Sequence, residues 1–149
     1  MFNFEKLEVW HKAIEYADDV YTITRAFPDD ERFGLTSQMR RAAVSISSNI
    51  AEGTSRHSRD DYAHFLEIAT GSIFEVVSQA TISKRQGFLS ETDYQRLYEA
   101  AEVQSRMLSG LRKSLGFTWC ANSRTQPSTH IPFKHALYRT SRAHGQSRD

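Results

Sequence analysis

The sequence predicts an all-α fold, an antiparallel up-down-up-down four-helix bundle, on three observations. Four long windows carry apolar residues at alternating steps of three and four. Only three prolines and seven glycines interrupt the 149 residues, and the connectors between windows are short. A hydrophobic content of 39% and an aromatic content of 11% suit a folded chain with one core. The bundle is assigned to residues 1–116, and 117–149 is read as a basic, mostly disordered C-terminal tail.

The first helix is expected from about Leu7 to Ala26. Leu7, Trp10, Ile14, Ala17, Tyr21 and Thr24 form its apolar stripe, with Ala13 and Val20 on the flank. Phe27-Pro28 ends it, since proline disfavours a helical residue before it. Gly34 in the connector that follows is free to take a left-handed turn. The second helix, about Thr36 to Glu52, has Thr36 as its expected N-cap and Gly53 as its closing residue. Met39, Ala42, Ala43, Ile46 and Ile50 gather on one side, with Asn49 at the edge. Gln38, Arg41, Ser45, Ser48 and Glu52 form a polar stripe, and Arg40, Val44, Ser47 and Ala51 lie between the two.

Ser58-Arg-Asp-Asp61 reads as a capping box opening a third helix that runs to about Arg85. Its broad apolar face leaves Gly71, Phe74 and Ile82 outside, which hints that another surface packs there. Ser90-Glu-Thr-Asp93 is a second capping box. The fourth helix, Glu91 to Leu115, repeats Tyr94, Leu97, Ala101, Gln104, Leu108, Leu111 and Leu115 as a seam, and Gly116 ends it. From Phe117 on the periodicity stops, and Pro127 and Pro132 appear.

No apolar run approaches the roughly 18 residues of a membrane span, and Met1 to Lys6 lacks the pattern of a signal peptide. One cysteine, Cys120, excludes an internal disulfide. A cytoplasmic protein without membrane partners is the expectation. The net charge of +1 is uneven: residues 1–116 hold 14 basic and 17 acidic side chains, and residues 117–149 hold five and one. Nucleic-acid binding would therefore need a local patch or the tail.

Several ordered motifs resemble one bacterial family. They are Phe4-Glu-Lys-Leu-Glu-Val-Trp10, Phe27-Pro28, Phe33-Gly-Leu-Thr-Ser-Gln38, Arg40-Arg-Ala-Ala-Val-Ser-Ile46, Ser48-Asn-Ile-Ala-Glu-Gly53, and Phe65-Leu66 with Ala69 and Gly71-Ser72. The family is that of four-helix-bundle proteins encoded in intervening sequences of bacterial large-subunit ribosomal RNA genes. The accessory variability determinant of diversity-generating retroelements is a relative. The resemblance spans about residues 2–116 and implies assembly into a homopentamer. It also implies a possible role, as in that relative, as a nucleic-acid-binding partner of a reverse transcriptase. The net-acidic bundle and the extra 33 residues at the end depart from that relative.

Chemistry is sparse. Glu8-x-x-His11 and Asp61-x-x-His64 have the spacing of carboxylate–histidine metal pairs, but both lie off the apolar stripe of their helix and face outward. Cys120 has no base held beside it, and Ser45, Ser47 and Ser48 lie mid-helix, where hydroxyls bond back to the preceding turn. No phosphate loop occurs. No enzyme, metal or cofactor is expected. The binding candidates are Arg40, Arg41, Arg56 and Arg59. Arg40 and Arg41 stand about 100° apart and are expected to serve different faces. A structural alternative pairs Arg41 with Glu52, Glu67 or an acid of another subunit. Gln38, Ser45, Ser48, Asn49, Glu52, Gly71 and Phe74 are the candidates for helix or oligomer packing. Two functions remain open: a homo-oligomeric scaffold with a protein partner, and a nucleic-acid-binding accessory factor.

Overall fold

The computed structural model describes residues 1–117. A short 3-10 turn, Asn3–Lys6, leads into α1, Glu8–Ile23, which tightens into a 3-10 turn at Thr24–Ala26. Another 3-10 turn, Asp29–Phe33, connects to α2, Leu35–Gly53. Helices α3, Arg59–Arg85, and α4, Glu91–Ser114, complete an antiparallel four-helix bundle with no strand among the described residues. Each helix packs on its chain neighbours, and α1 also meets α4, so the helices stand in the order α1, α2, α3, α4 around one core. The packing of α2 on α3 is the most extensive.

Local chemistry fixes the helix ends. Ser58 Oγ accepts the Asp61 amide at 3.0 Å, and Ser90 Oγ accepts that of Asp93 at 3.0 Å, which is the serine half of each expected capping box. Each serine hydroxyl also donates to the side-chain carboxylate of its partner aspartate at 2.7 Å. Helices α3 and α4 close alike. Gly87 (φ 78°) and Gly116 (φ 97°) are left-handed, and the amides of Phe88 and Phe117 reach back to the carbonyls of Ser83 and Arg112. That is the paired-bond C-terminal motif in which glycine avoids a Cβ clash.

The start and end of α2 differ from expectation. Gly34 has φ −95° and is not left-handed, and Thr36 is buried inside the helix. The first free amide, that of Leu35, is instead accepted by Glu31 Oε2 at 2.9 Å, so a glutamate from the connector does the capping. Gly53 lies within the helix and has no positive φ. Its lack of a side chain serves packing: a Cβ there would stand 2.6 Å from Tyr62 Cδ2 and 2.8 Å from Tyr62 Cε2.

The core is built from Val9, Ala13, Tyr16, Val20 and Ile23 of α1, the expected face of α2, and Leu66, Ile73, Val76, Leu97 and Leu108 of α3 and α4. The stripe of α1 is thus turned toward what was expected as its flank, and Ile14 and Tyr21 are exposed. The apolar arc of α1 is broad enough for two overlapping stripes, and packing between α2 and α4 selects Ala13 and Val20 for the centre. Trp10 is only half-buried and is covered by Phe4, whose ring lies 5.0 Å away. The seam of α4 buries Leu97, Ala101, Gln104 and Leu108. Gln104, fully buried, donates to the carbonyl of Val9 at 2.9 Å and ties α4 to α1.

Of the expected tail, all but Phe117 lies outside the described residues. Phe117 is half-buried, with the Arg112 guanidinium 5.7 Å from its ring centroid. No described helix is long and apolar enough to cross a membrane.

Candidate functional site

The polar stripe of α2 resolves into distinct environments. Ser45 meets α3: its hydroxyl lies 3.0 Å from that of Ser72 and accepts from Asn49 Nδ2 at 2.9 Å. Asn49 also donates to the Ser45 carbonyl at 2.7 Å, so its amide is satisfied within α2. Gln38 accepts from buried Gln79 at a long 3.4 Å, and Gln79 also donates to Glu75 at 3.0 Å. Glu52 pairs with Arg56, whose guanidinium sits 4.5 Å from the Phe65 ring centroid. Ser48 and Arg41 are exposed and make no hydrogen bond or ion pair among the described residues. The expected intrachain partners of Arg41 are taken, since Glu67 pairs with Arg112.

Arg40 is held more firmly. Its Nε donates to Thr24 Oγ1 at 2.8 Å, and its guanidinium lies 4.9 Å from the Tyr21 ring centroid. Thr24 in turn donates to the Val20 carbonyl at 2.7 Å, which fixes the acceptor. This arrangement corrects the expectation that Arg40 and Arg41 serve different faces. The seam between α1 and α2 opens as a cleft of about 540 Å³, and Tyr21, Arg32, Phe33, Arg40, Arg41 and Val44 line it. The 100° between the two arginines is spanned because the cleft itself covers that arc of α2. Arg32, which the sequence did not single out, joins them, and its guanidinium is 5.7 Å from the Phe33 ring centroid. Arg32, Arg40 and Arg41 form no ion pair among the described residues. Arg56 and Arg59 belong elsewhere, at the turn between α2 and α3.

A second cleft, of about 300 Å³, lies along the seam between α3 and α4, with Phe74, Val77, Tyr98, Glu102 and Arg106 in its walls. Phe74 is 58% exposed, and a Cβ at nearby Gly71 would meet nothing within 4 Å. The outward glycine and phenylalanine expected on α3 are therefore both present. Glu102 and Arg106 form a loose, exposed pair at 3.8 Å.

The carboxylate–histidine pairs are spread on the surface. Glu8, His11, Asp61 and His64 are all exposed; His11 is engaged by the Glu5 carbonyl at 2.8 Å, and Asp61 by its own cap. The most perturbed titratable group is Tyr16. Burial pushes its phenol well above the ordinary value near 10, and Asp19 adds to this. Its hydroxyl is buried with no hydrogen-bond partner. With no hydrogen-bond partner, and with burial and Asp19 both opposing its ionisation, the phenol has the surroundings of a core residue.

A solved protein of unknown function from the S23 ribosomal protein family of Bacteroides thetaiotaomicron VPI-5482 has the same fold. It aligns with a TM-score of 0.64 and 22% sequence identity over 70% of this chain and 98% of its own. No curated protein matches the chain significantly. The family model described as 23S rRNA-intervening sequence protein matches residues 5–110, from the turn before α1 to the last turns of α4. That match takes in both clefts and nearly the whole bundle, and the chain belongs to the 23S rRNA-intervening sequence protein family.

Proposed function

We propose that this chain is a non-enzymatic scaffold that assembles with copies of itself, as a ring of five, and presents the ring to a protein partner. The number five rests on the family resemblance. The observation that carries the reading is the placement of large apolar side chains outside a core that is already filled. Phe33 is 87% exposed, Phe74 is 58% exposed, and Tyr21, Val44 and Tyr98 are partly exposed around the two clefts. Apolar surface gathered into clefts with polar rims is typical of contact surfaces. Light scattering on the full-length chain at micromolar concentration is expected to give five times the monomer mass. A monomer would overturn the reading.

A second reading, nucleic-acid binding, is favoured by one specific observation. Arg32, Arg40 and Arg41 converge on a cleft with two aromatic rings and carry no acid partner among the described residues. Arginines beside aromatic faces suit single strands, where charge follows the backbone and bases stack. Binding of single-stranded RNA by the full-length chain would then weaken by orders of magnitude as salt rises from low to physiological. Absence of binding at low salt would remove this reading.

A further inference from the structure

We infer that the arginine-lined cleft between α1 and α2 binds a nucleoside phosphate as a free small molecule, with the base against Phe33 and the phosphate on Arg32 and Arg40. The inference goes beyond both readings above and does not depend on assembly.

The cations are gathered at one point. A second hollow of about 300 Å³ adjoins the cleft and shares Arg32, Thr36 and Arg40 with it. Arg41 lines only the larger hollow and Arg25 only the smaller, so four arginines surround the shared wall. None of the four forms an ion pair among the described residues. Arg40 is fixed before any ligand arrives. Its Nε donates to Thr24 Oγ1, a buried hydroxyl that is itself tied to the Val20 carbonyl, and the Tyr21 ring supports its guanidinium. Its two terminal nitrogens carry no hydrogen bond among the described residues. They present a planar pair of donors of the kind that fits two phosphate oxygens. Because the side chain is already ordered, little rotamer freedom is lost on binding.

The exposed ring and the size of the cleft narrow the ligand. An inorganic anion would engage the arginines and leave Phe33, 87% exposed beside Arg32, without a role. An open aromatic face next to phosphate-binding arginines is a platform on which a base stacks. The volume of about 540 Å³ is that of a site for one small molecule. Exposed carboxylates border the positive surface. Asp29 stands in the wall of the smaller hollow, Asp30 follows it, and Asp18 lies one turn before Tyr21 on α1. A phosphate one nucleotide further along a strand would meet these carboxylates, so the charge pattern favours a single nucleotide over a run of them.

Calorimetric titration of the full-length chain tests this, with adenosine 5′-monophosphate, inorganic phosphate and a single-stranded RNA as three separate ligands. Adenosine 5′-monophosphate is expected to bind once per chain with a Kd on the order of 10–100 µM, the ordinary scale for a ligand of its size. Inorganic phosphate should bind at least about tenfold more weakly, since it cannot stack. Phe33→Ala is expected to weaken the nucleotide by about tenfold and leave phosphate unchanged, whereas Arg32→Gln weakens both. Should Arg32→Gln change the circular-dichroism spectrum, Arg41→Gln, at an exposed position, takes its place with the same expectation. Nucleotide binding that survives Phe33→Ala and the arginine variant would place the ligand elsewhere and overturn the inference. So would phosphate binding as tightly as the nucleotide, which would leave the ring without a part. If RNA binds and the mononucleotide does not, this inference fails and the nucleic-acid reading stands. If neither binds at low salt, both fail.

Discussion

At the scale of single residues, two glycines show how differently the same missing side chain can matter. Gly53 stands under the Tyr62 ring, where a methyl group would overlap its edge. Gly53→Ala is therefore expected to destabilise the fold by about 1–3 kcal/mol, because overpacking outweighs the better helix propensity of alanine. Gly110 lies in the interior of α4 beside open space, and Gly110→Ala is expected to stabilise by about 1 kcal/mol. Urea titrations of the two variants check both signs. Glycine after an amphipathic run commonly ends a helix, which is the role the sequence suggests for Gly53. The neighbouring ring comes from the next helix and leaves no local signature. Tyr16 allows a test by pH. Its phenol titrates higher in the folded than in the unfolded chain, so the unfolded chain ionises first. Stability contributed by Tyr16 is full below pH 10 and is lost as pH rises above it. Tyr16→Phe should flatten that alkaline loss in denaturation midpoints followed from pH 9 to about 11.5.

At the scale of elements, helix existence and most helix ends were legible. Capping signals act over three or four residues and can be read directly from Ser58, Ser90 and Gly116. Ser58→Ala and Ser90→Ala should each cost about 1 kcal/mol, and the double variant about 2, since they open different helices. Thermal melts of the three variants measure this. The start of α2 was misread for a physical reason: its amide is capped by Glu31 from inside a 3-10 turn, and such a turn has no period of its own. The face of α1 was misread because Ile14 and Tyr21 are as apolar as the residues that are buried. Which arc of α1 turns inward depends on α2 and α4, and Arg40 over Tyr21 gives the outer arc an occupation of its own.

At the scale of the whole molecule, the bundle was legible and its outer seams were not. A helical period states that a face is apolar; it does not state which two helices frame a cleft. Arg32 entered the site only once the connector was folded beside α2, and Arg56 left it by pairing with Glu52. Phe74 and Gly71 were legible as outward residues because α3 is long and regular, so their angle from its core face can be counted.

The bond from Gln104 to the Val9 carbonyl also has a meaning in time. Helices α1 and α2, α2 and α3, and α3 and α4 meet as neighbours along the chain, whereas α1 and α4 meet across some ninety residues. Closing that separation costs the most chain entropy, and its contacts are the least extensive of the four seams. The three hairpins can form before the circuit shuts. Gln104→Ala should therefore hasten unfolding while leaving the refolding rate nearly unchanged in stopped-flow chevrons. The molecule comes apart along the seam where its first helix meets its last.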